Sequence, residues 1–448
     1  MALEVTVGID IGTTSVKALA VDGEGRVVAS SRVGHELLAS RAGELAHPAN
    51  AAWHDGVLEA LARLQTGIEE LDIRAIDVAA MVPSLCAVDA AGRPISPGLL
   101  YGDDRGAGSG SQADGSSDEM VRFLEWLARA HPEAAGFWPA QAVANAALSG
   151  IGAIDTVVAY TAMPLFDLHG WDVAVAAGAG VDDVGRLPVI VPGSDAVGRV
   201  ESAGGALLGG GTIDALGEQL VAGAAGEGDM LVILGSTLIA WAVTPGWPEV
   251  EGLWTVPNTA PGTALIGGPS NAGGLFVNWV GRALGVDLWK GMPRPDDPGR
   301  VPVWQPYLRG ERVPFHDRDR RASLHDLDIG MDAGAIVRAA HEASAFAVRH
   351  QLDLAGVDPT RIVATGGGVR DAAWVRALAD GTGLPVDVVA VPEGGALGAA
   401  WLARQVAGLE QPGADAGRWV RTDHRVEPDP RWAGATAGRY ARYRELAG

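Results

Sequence analysis

The chain has 448 residues, 48% hydrophobic and 20% charged, with a formal net charge of −21. That composition suits a well-packed globular protein of two domains and excludes wholesale disorder. The acidic balance argues against non-specific nucleic-acid binding and anionic membrane surfaces, while the single cysteine, Cys86, excludes internal disulfides and Cys-based zinc sites.

The first predicted elements are two strands around a tight polar turn, running from Val7 to Asp22. Gly12 lets a ligand approach the backbone closely, because no side chain stands in the way. Thr13 and Thr14 offer hydroxyl donors, Lys17 can neutralise phosphate, and Asp10 can hold Mg²⁺ directly or through water. Among 34 lysines and arginines only Lys17 and Lys290 are lysine, and one of the two stands in this loop. The turn reads as a nucleotide-phosphate loop, although it lacks the Gly-x-x-x-x-Gly-Lys-Ser/Thr pattern. The plain alternative is an ordinary hairpin with a polar turn.

Strand and helix signals then alternate, as in α/β architecture. A third strand is predicted over residues 26–33, a helix from Ala51 to Gln65, a strand from Ile76 to Met81 and a helix from Glu119 to Ala130. Residues 106–118 form a Gly/Ser-rich low-complexity loop. The Gly/Ala-rich stretch Gly223–Gly228 marks a domain boundary, giving an N-terminal domain over 1–224 and a C-terminal domain over 225–448.

Directly after that join, residues 230–243 repeat the opening pattern of strand, Gly-hydroxyl-hydroxyl turn and strand, with Gly235, Ser236 and Thr237 in the turn. Further on, a buried-type strand from Arg361 ends in Gly366-Gly367-Gly368, a flat surface for a ring or a phosphate, followed by a helix that Asp371 can cap. His341-Glu342 lacks the second histidine of a metalloprotease and belongs to a core-facing helix over about Ala335–Leu352.

These pieces are ordered as in a known family. Asp10-x-Gly-Thr-Thr-x-x-x-Lys17, Asp89–Pro97 leading to Tyr101-Gly102-Asp103-Asp104-Arg105, Gly211-Thr212-Ile213-Asp214, Leu234–Thr237, Pro306–Pro314, Thr365–Gly368 and Pro392–Ala400 together resemble the FGGY-type carbohydrate kinases of the actin/Hsp70/sugar-kinase superfamily. The resemblance is nearer to xylulokinases than to glycerol kinases. It implies an α/β fold of two RNase H-like (actin-like ATPase) domains with an interdomain cleft, and ATP and Mg²⁺ as cofactors. It places Asp10 at the metal and Gly12, Thr13, Thr14 and Lys17 at the phosphates. Gly235, Ser236 and Thr237 would bound those phosphates, and Gly366, Gly367 and Gly368 would border the adenosine.

By the same resemblance Asp214 is the general base, and the sugar pocket includes Met81, Val82, Pro83, Tyr101 and Asp103. A hydroxyl is a poor nucleophile at neutral pH, so a carboxylate that accepts its proton fits the chemistry. Without the resemblance, Asp214 reads as a turn or cap aspartate. Met81-Val82-Pro83 replaces the Gln-Met-His of xylulokinases, Tyr101 replaces a tryptophan, and Ala215 replaces an asparagine. The expected partner is a sugar or polyol, a xylulose-like ketose first, with no nucleic acid, no membrane, a cytoplasmic setting and room for a homodimer. A non-catalytic sugar- or nucleotide-binding member, or an ATP-driven switch, stays open as the alternative.

Overall fold

A computed structural model describes residues 2–39, 41, 43–66, 71–105, 119–258, 262–288 and 295–447. The low-complexity loop at 106–118 and Lys290 lie outside the described residues.

The chain forms two compact units. The first holds the described residues of Met1–Gln112 and Ser116–Val221 together with Glu393–Trp419. The second holds those of Ala222–Pro392 and Val420–Gly448. A single cut at residue 224 therefore differs from the observed organisation, because the helix Gly394–Val406 packs on strands Leu3–Ile11 and Leu71–Ala80 of the first unit. That return is a long-range packing event with no local turn or linker to announce it.

The first unit is built on a seven-stranded sheet. Strands Leu3–Ile11, Ser15–Val21 and Val27–Gly34 run as an antiparallel meander, and Leu71–Ala80 pairs parallel to the first of them. From Val5 onward every residue of Leu3–Ile11 is buried, as expected for a central strand covered on both faces. The short strand Thr212–Ile213 pairs parallel with the end of Leu71–Ala80, setting Ile213 opposite Ala80.

The second unit repeats that plan. Strands Asp229–Leu234, Leu238–Pro245 and Thr263–Ser270 form an antiparallel meander, and Arg361–Thr365 lies parallel to Asp229–Leu234. Each unit thus opens with a hairpin whose first strand gains a parallel neighbour much later in the chain.

Local signals explain many boundaries. Asp371 caps the helix Ala372–Thr382 by accepting from the N–H groups of Ala373 at 2.9 Å and Trp374 at 3.2 Å. The helix expected from Ala51 starts as a wide π turn, Asn50–Asp55, before becoming α-helical over Gly56–Gln65. His341 and Glu342 are buried on the helix Ala333–Ala355, where Arg338 and Arg439 both pair with Glu342.

Candidate active site

In the first unit the pairing register sets Asp10 directly opposite Lys17, and the Lys17 ammonium lies 3.1 Å from the Asp10 carboxylate. The adjacent carboxylate of Asp10 raises the Lys17 pKa despite burial, and Glu218 and Glu393 add to the effect, so Lys17 stays a cation.

Asp214 is the first residue of the helix Asp214–Ala222, and its carboxylate accepts from the N–H of Ala215 at 2.7 Å. Burial pushes its pKa up to about 6, Asp10 pushes the same way, and the Ala215 N–H and Lys17 pull it back. Glu218 lies one turn along the same helix face. Asp10, Lys17, Asp214 and Glu218 therefore share one electrostatic neighbourhood.

Glycines make this convergence sterically feasible. A β-carbon at Gly395 would stand 3.2 Å from the Asp10 carboxylate, and one at Gly8 would collide with the Ala396 carbonyl. Gly398 likewise meets the backbone of Gly217. The strand bearing Asp10, the helix bearing Asp214 and the helix Gly394–Val406 consequently meet backbone to backbone.

Three buried side chains hold the ribbon that leads to Asp214. Asp77 accepts from the Gly211 N–H at 2.8 Å, Asn145 donates to the Gly210 carbonyl at 3.1 Å, and Gln141 donates to the carbonyls of Ala80 and Thr212 at 3.1 Å each. Burial, aided by the nearby Asp155, pushes the Asp77 pKa up to about 7, against the pull of the Val78 and Gly211 N–H groups. Sequence reading singled out none of the three. An aspartate inside the otherwise apolar run Ala75–Met81 was the available signal.

The expected sugar-pocket residues divide. Strand register brings the segment after Ala80 beside Asp214, and Val82, Pro83 and Tyr101 are partly buried. Met81, however, is 3% exposed and packs in the core, so its side chain differs from the expected pocket edge. Asp103 is buried, and its carboxylate takes the Arg105 guanidinium at 2.6 Å and the Leu45 N–H at 2.7 Å. Those partners give Asp103 a turn-fixing role.

The residues expected to face phosphate keep an open edge: Gly12 and Thr13 are partly buried and Thr14 is exposed. His35 and His47, also unrecognised in the sequence, contact the loop carbonyls of Gly12 and Thr13.

In the second unit, Gly235, Ser236 and Thr237 form the turn between Asp229–Leu234 and Leu238–Pro245. The first amides of the helix Gly274–Leu284 cap this turn, Gly274 donating to Gly235 at 2.8 Å and Leu275 to Ser236 at 3.0 Å. Gly366 has φ of 85°, and a β-carbon at Gly368 would stand 2.6 Å from the Leu234 carbonyl, so the glycine turn lies flat against the same strand end. Glu311, pushed up to about 7 by burial, accepts from Ser270 at 2.7 Å and the Asn271 N–H at 2.8 Å, fixing the approach to that helix.

Among the described residues no group of three or more His, Cys, Asp or Glu side chains is arranged to hold a metal ion. One carboxylate, Asp10, suits Mg²⁺ that arrives already bound to phosphates, since Mg²⁺ commonly takes one or two protein carboxylates and keeps waters. Also among the described residues, no helix is long and apolar enough to cross a membrane.

Comparison with known proteins gives a consistent picture. Residues 5–115 match the N-terminal domain of the FGGY family of carbohydrate kinases, and residues 230–405 match its C-terminal domain. A xylulose kinase of Streptomyces coelicolor is 30% identical over 92% of this chain and 90% of its own length. A glycerol kinase of Clavibacter michiganensis is 28% identical over 96% and 94%. Among solved structures, a gluconate kinase from Lactobacillus acidophilus superposes with a TM-score of 0.80 at 21% identity, covering 99% of this chain and 98% of that one, a likeness of fold.

Proposed function

The chain belongs to the FGGY family of carbohydrate kinases, and from that premise we propose that it phosphorylates a ketose or polyol, xylulose-like, with Asp214 as general base. It is an ATP-dependent sugar kinase. The convergence of Asp10, Lys17 and Asp214 in one unit carries the reading, because a protein that only bound sugar or nucleotide has no use for the base.

In this mechanism Asp214 accepts the proton of the attacking sugar hydroxyl as its oxygen bonds to the γ-phosphorus, while the bond to the β-phosphate oxygen breaks and ADP leaves. A carboxylate near pKa 6 is a better proton acceptor than an ordinary one and is still mostly ionised at neutral pH. Lys17 and the loop amides of Gly12, Thr13 and Thr14 balance charge on the transferring group. Asp10 would hold Mg²⁺, which shields the phosphates when bound. In the second unit, Gly235, Ser236, Thr237 and Gly366–Gly368 would line the nucleotide.

The acceptor meets Val82, Pro83 and Tyr101, a less polar edge than Gln-Met-His would offer. Apolar edges reject isosteres weakly, so broad acceptance of ketoses and polyols is expected. A coupled ADP-release assay across pentuloses, hexuloses and polyols tests this. ADP release that ignores every sugar would refute the proposed acceptor class.

A further inference from the structure

The carbonyls of Gly12 and Thr13 are each met by an imidazole from a different stretch of chain. His35 Nε2 lies 3.1 Å from the Gly12 carbonyl, and His47 Nε2 lies 2.9 Å from the Thr13 carbonyl. The His35 backbone N–H also donates to the Thr14 carbonyl at 3.0 Å. The Thr14 carbonyl is thereby occupied by a donor, and the neutral His35 ring, whose Nδ1 faces the Glu36 carbonyl at 3.2 Å, gives its one ring N–H to Gly12 or to Glu36 according to its tautomer.

The tautomer of His47 follows from its other neighbour. The Trp53 indole can only donate, and it donates to His47 Nδ1 at 3.0 Å. Nε2 of His47 must then carry the ring proton and give it to Thr13. Burial, foremost, and the nearby His35 hold the His47 pKa down to about 3, which keeps this ring neutral. The two rings meet edge to face at 4.5 Å. His47 and Trp53 are wholly buried, whereas His35 is partly exposed.

We propose that His35 and His47, with Trp53 behind them, are positioning residues that hold the Gly12–Thr14 carbonyls away from the nucleotide, so that the loop offers amides and hydroxyls to the phosphates. This inference rests on the reading of residues 12–17 as the phosphate loop. A carbonyl turned toward a phosphate repels it and removes an amide from reach, so the clamp acts on nucleotide affinity before it acts on the sugar. Glutamine can place a donor nitrogen near the position of Nε2, whereas leucine fills the space without donating.

The test measures Mg-ATP affinity by calorimetry without sugar, plus KM for Mg-ATP, KM for D-xylulose and kcat, in wild type, His47→Leu, His47→Gln, His35→Ala and His35→Gln. The Leu and Ala variants should weaken Mg-ATP binding about five- to tenfold, as expected for one lost hydrogen bond. KM for D-xylulose should stay within about twofold, and the Gln variants should recover most of the affinity. Folded variants with unchanged Mg-ATP affinity overturn the clamp. So does a loss that glutamine fails to restore and that affects sugar and nucleotide alike, which marks a merely structural role. If His47→Leu does not fold, the more exposed His35 pair decides. A wild type that binds no Mg-ATP overturns the phosphate-loop reading itself, and the clamp with it.

Discussion

Gly217 and Gly395 bring two helices of the first unit into backbone contact. A β-carbon on Gly217 would stand 2.9 Å from the Gly395 carbonyl oxygen and 3.2 Å from its α-carbon. One helix carries Asp214 and Glu218, and the other starts beside Asp10. The distance between Asp214 and Asp10 is therefore set by the absence of two methyl groups.

Gly217→Ala should displace the Asp214 helix, since a contact this short forces the backbone to move. A shift of about 1 Å at a reacting group is enough for a large rate loss, on the order of 10²-fold. Steady-state kinetics should show a fall in kcat of at least tenfold with a modest drop in melting temperature. Wild-type kcat in a folded Gly217→Ala protein means the helix spacing does not control the base.

Asp214→Asn should fold, bind Mg-ATP and lose about 10²-fold or more in sugar phosphorylation. The pH profile adds a second check. As the proposed base, Asp214 must be ionised, and its pKa in the free protein is pushed up to about 6, so wild-type kcat/KM for the sugar should fall as pH drops through that value. Residual activity of the asparagine variant should lack that inflection. A wild-type profile flat from pH 5 to 8 removes Asp214 as the group that titrates.

Lys17→Met removes the cation that Asp10, Glu218 and Glu393 surround. Phosphoryl transfer should fall by about 10²-fold or more, as for loss of one charge-stabilising donor, while sugar affinity changes little. Loss of Lys17 also leaves its carboxylates facing one another, so some weakening of Mg-ATP binding is expected. Unchanged turnover takes Lys17 out of the mechanism.

What the sequence made legible follows from how local each signal is. The two hairpins, the Asp371 cap and the helix over Glu119–Ala130 rest on turn chemistry and periodicity within a few residues, and each is found in the structure. A boundary at Gly223–Gly228 puts the helix Gly394–Val406 in the second domain, and its glycines at 394, 395 and 398 signal close packing without naming the partner. The burial of Met81 was hidden for another reason. Strand Leu71–Ala80 is buried continuously from Ala75, so no polar-apolar alternation shows which side chains leave the core. His35 and His47 sit in no spaced motif, and only the fold brings both rings to one loop.

Asp77 gives a prediction about stability rather than rate. Its folded pKa of about 7 lies above the ordinary carboxylate value of 3.8, so the fold favours the protonated form. As pH rises above about 4 the unfolded chain ionises first, and stability falls until pH passes about 7, then levels off. Three pKa units set a ceiling of about 4 kcal/mol on that loss. Asparagine at position 77 keeps an oxygen to accept from Val78 and Gly211, as the native Oδ1 does, and it never ionises. Asp77→Asn should therefore raise the melting temperature of the first unit by several °C at pH 8, with the gap closing toward pH 4. Calorimetric scans at both pH values decide it: a gap that is equal at pH 4 and pH 8 shows that folding does not raise the Asp77 pKa, and one reversed at pH 8 shows that Asp77 is stabilised as the anion and that the ribbon before Asp214 is held by a charge.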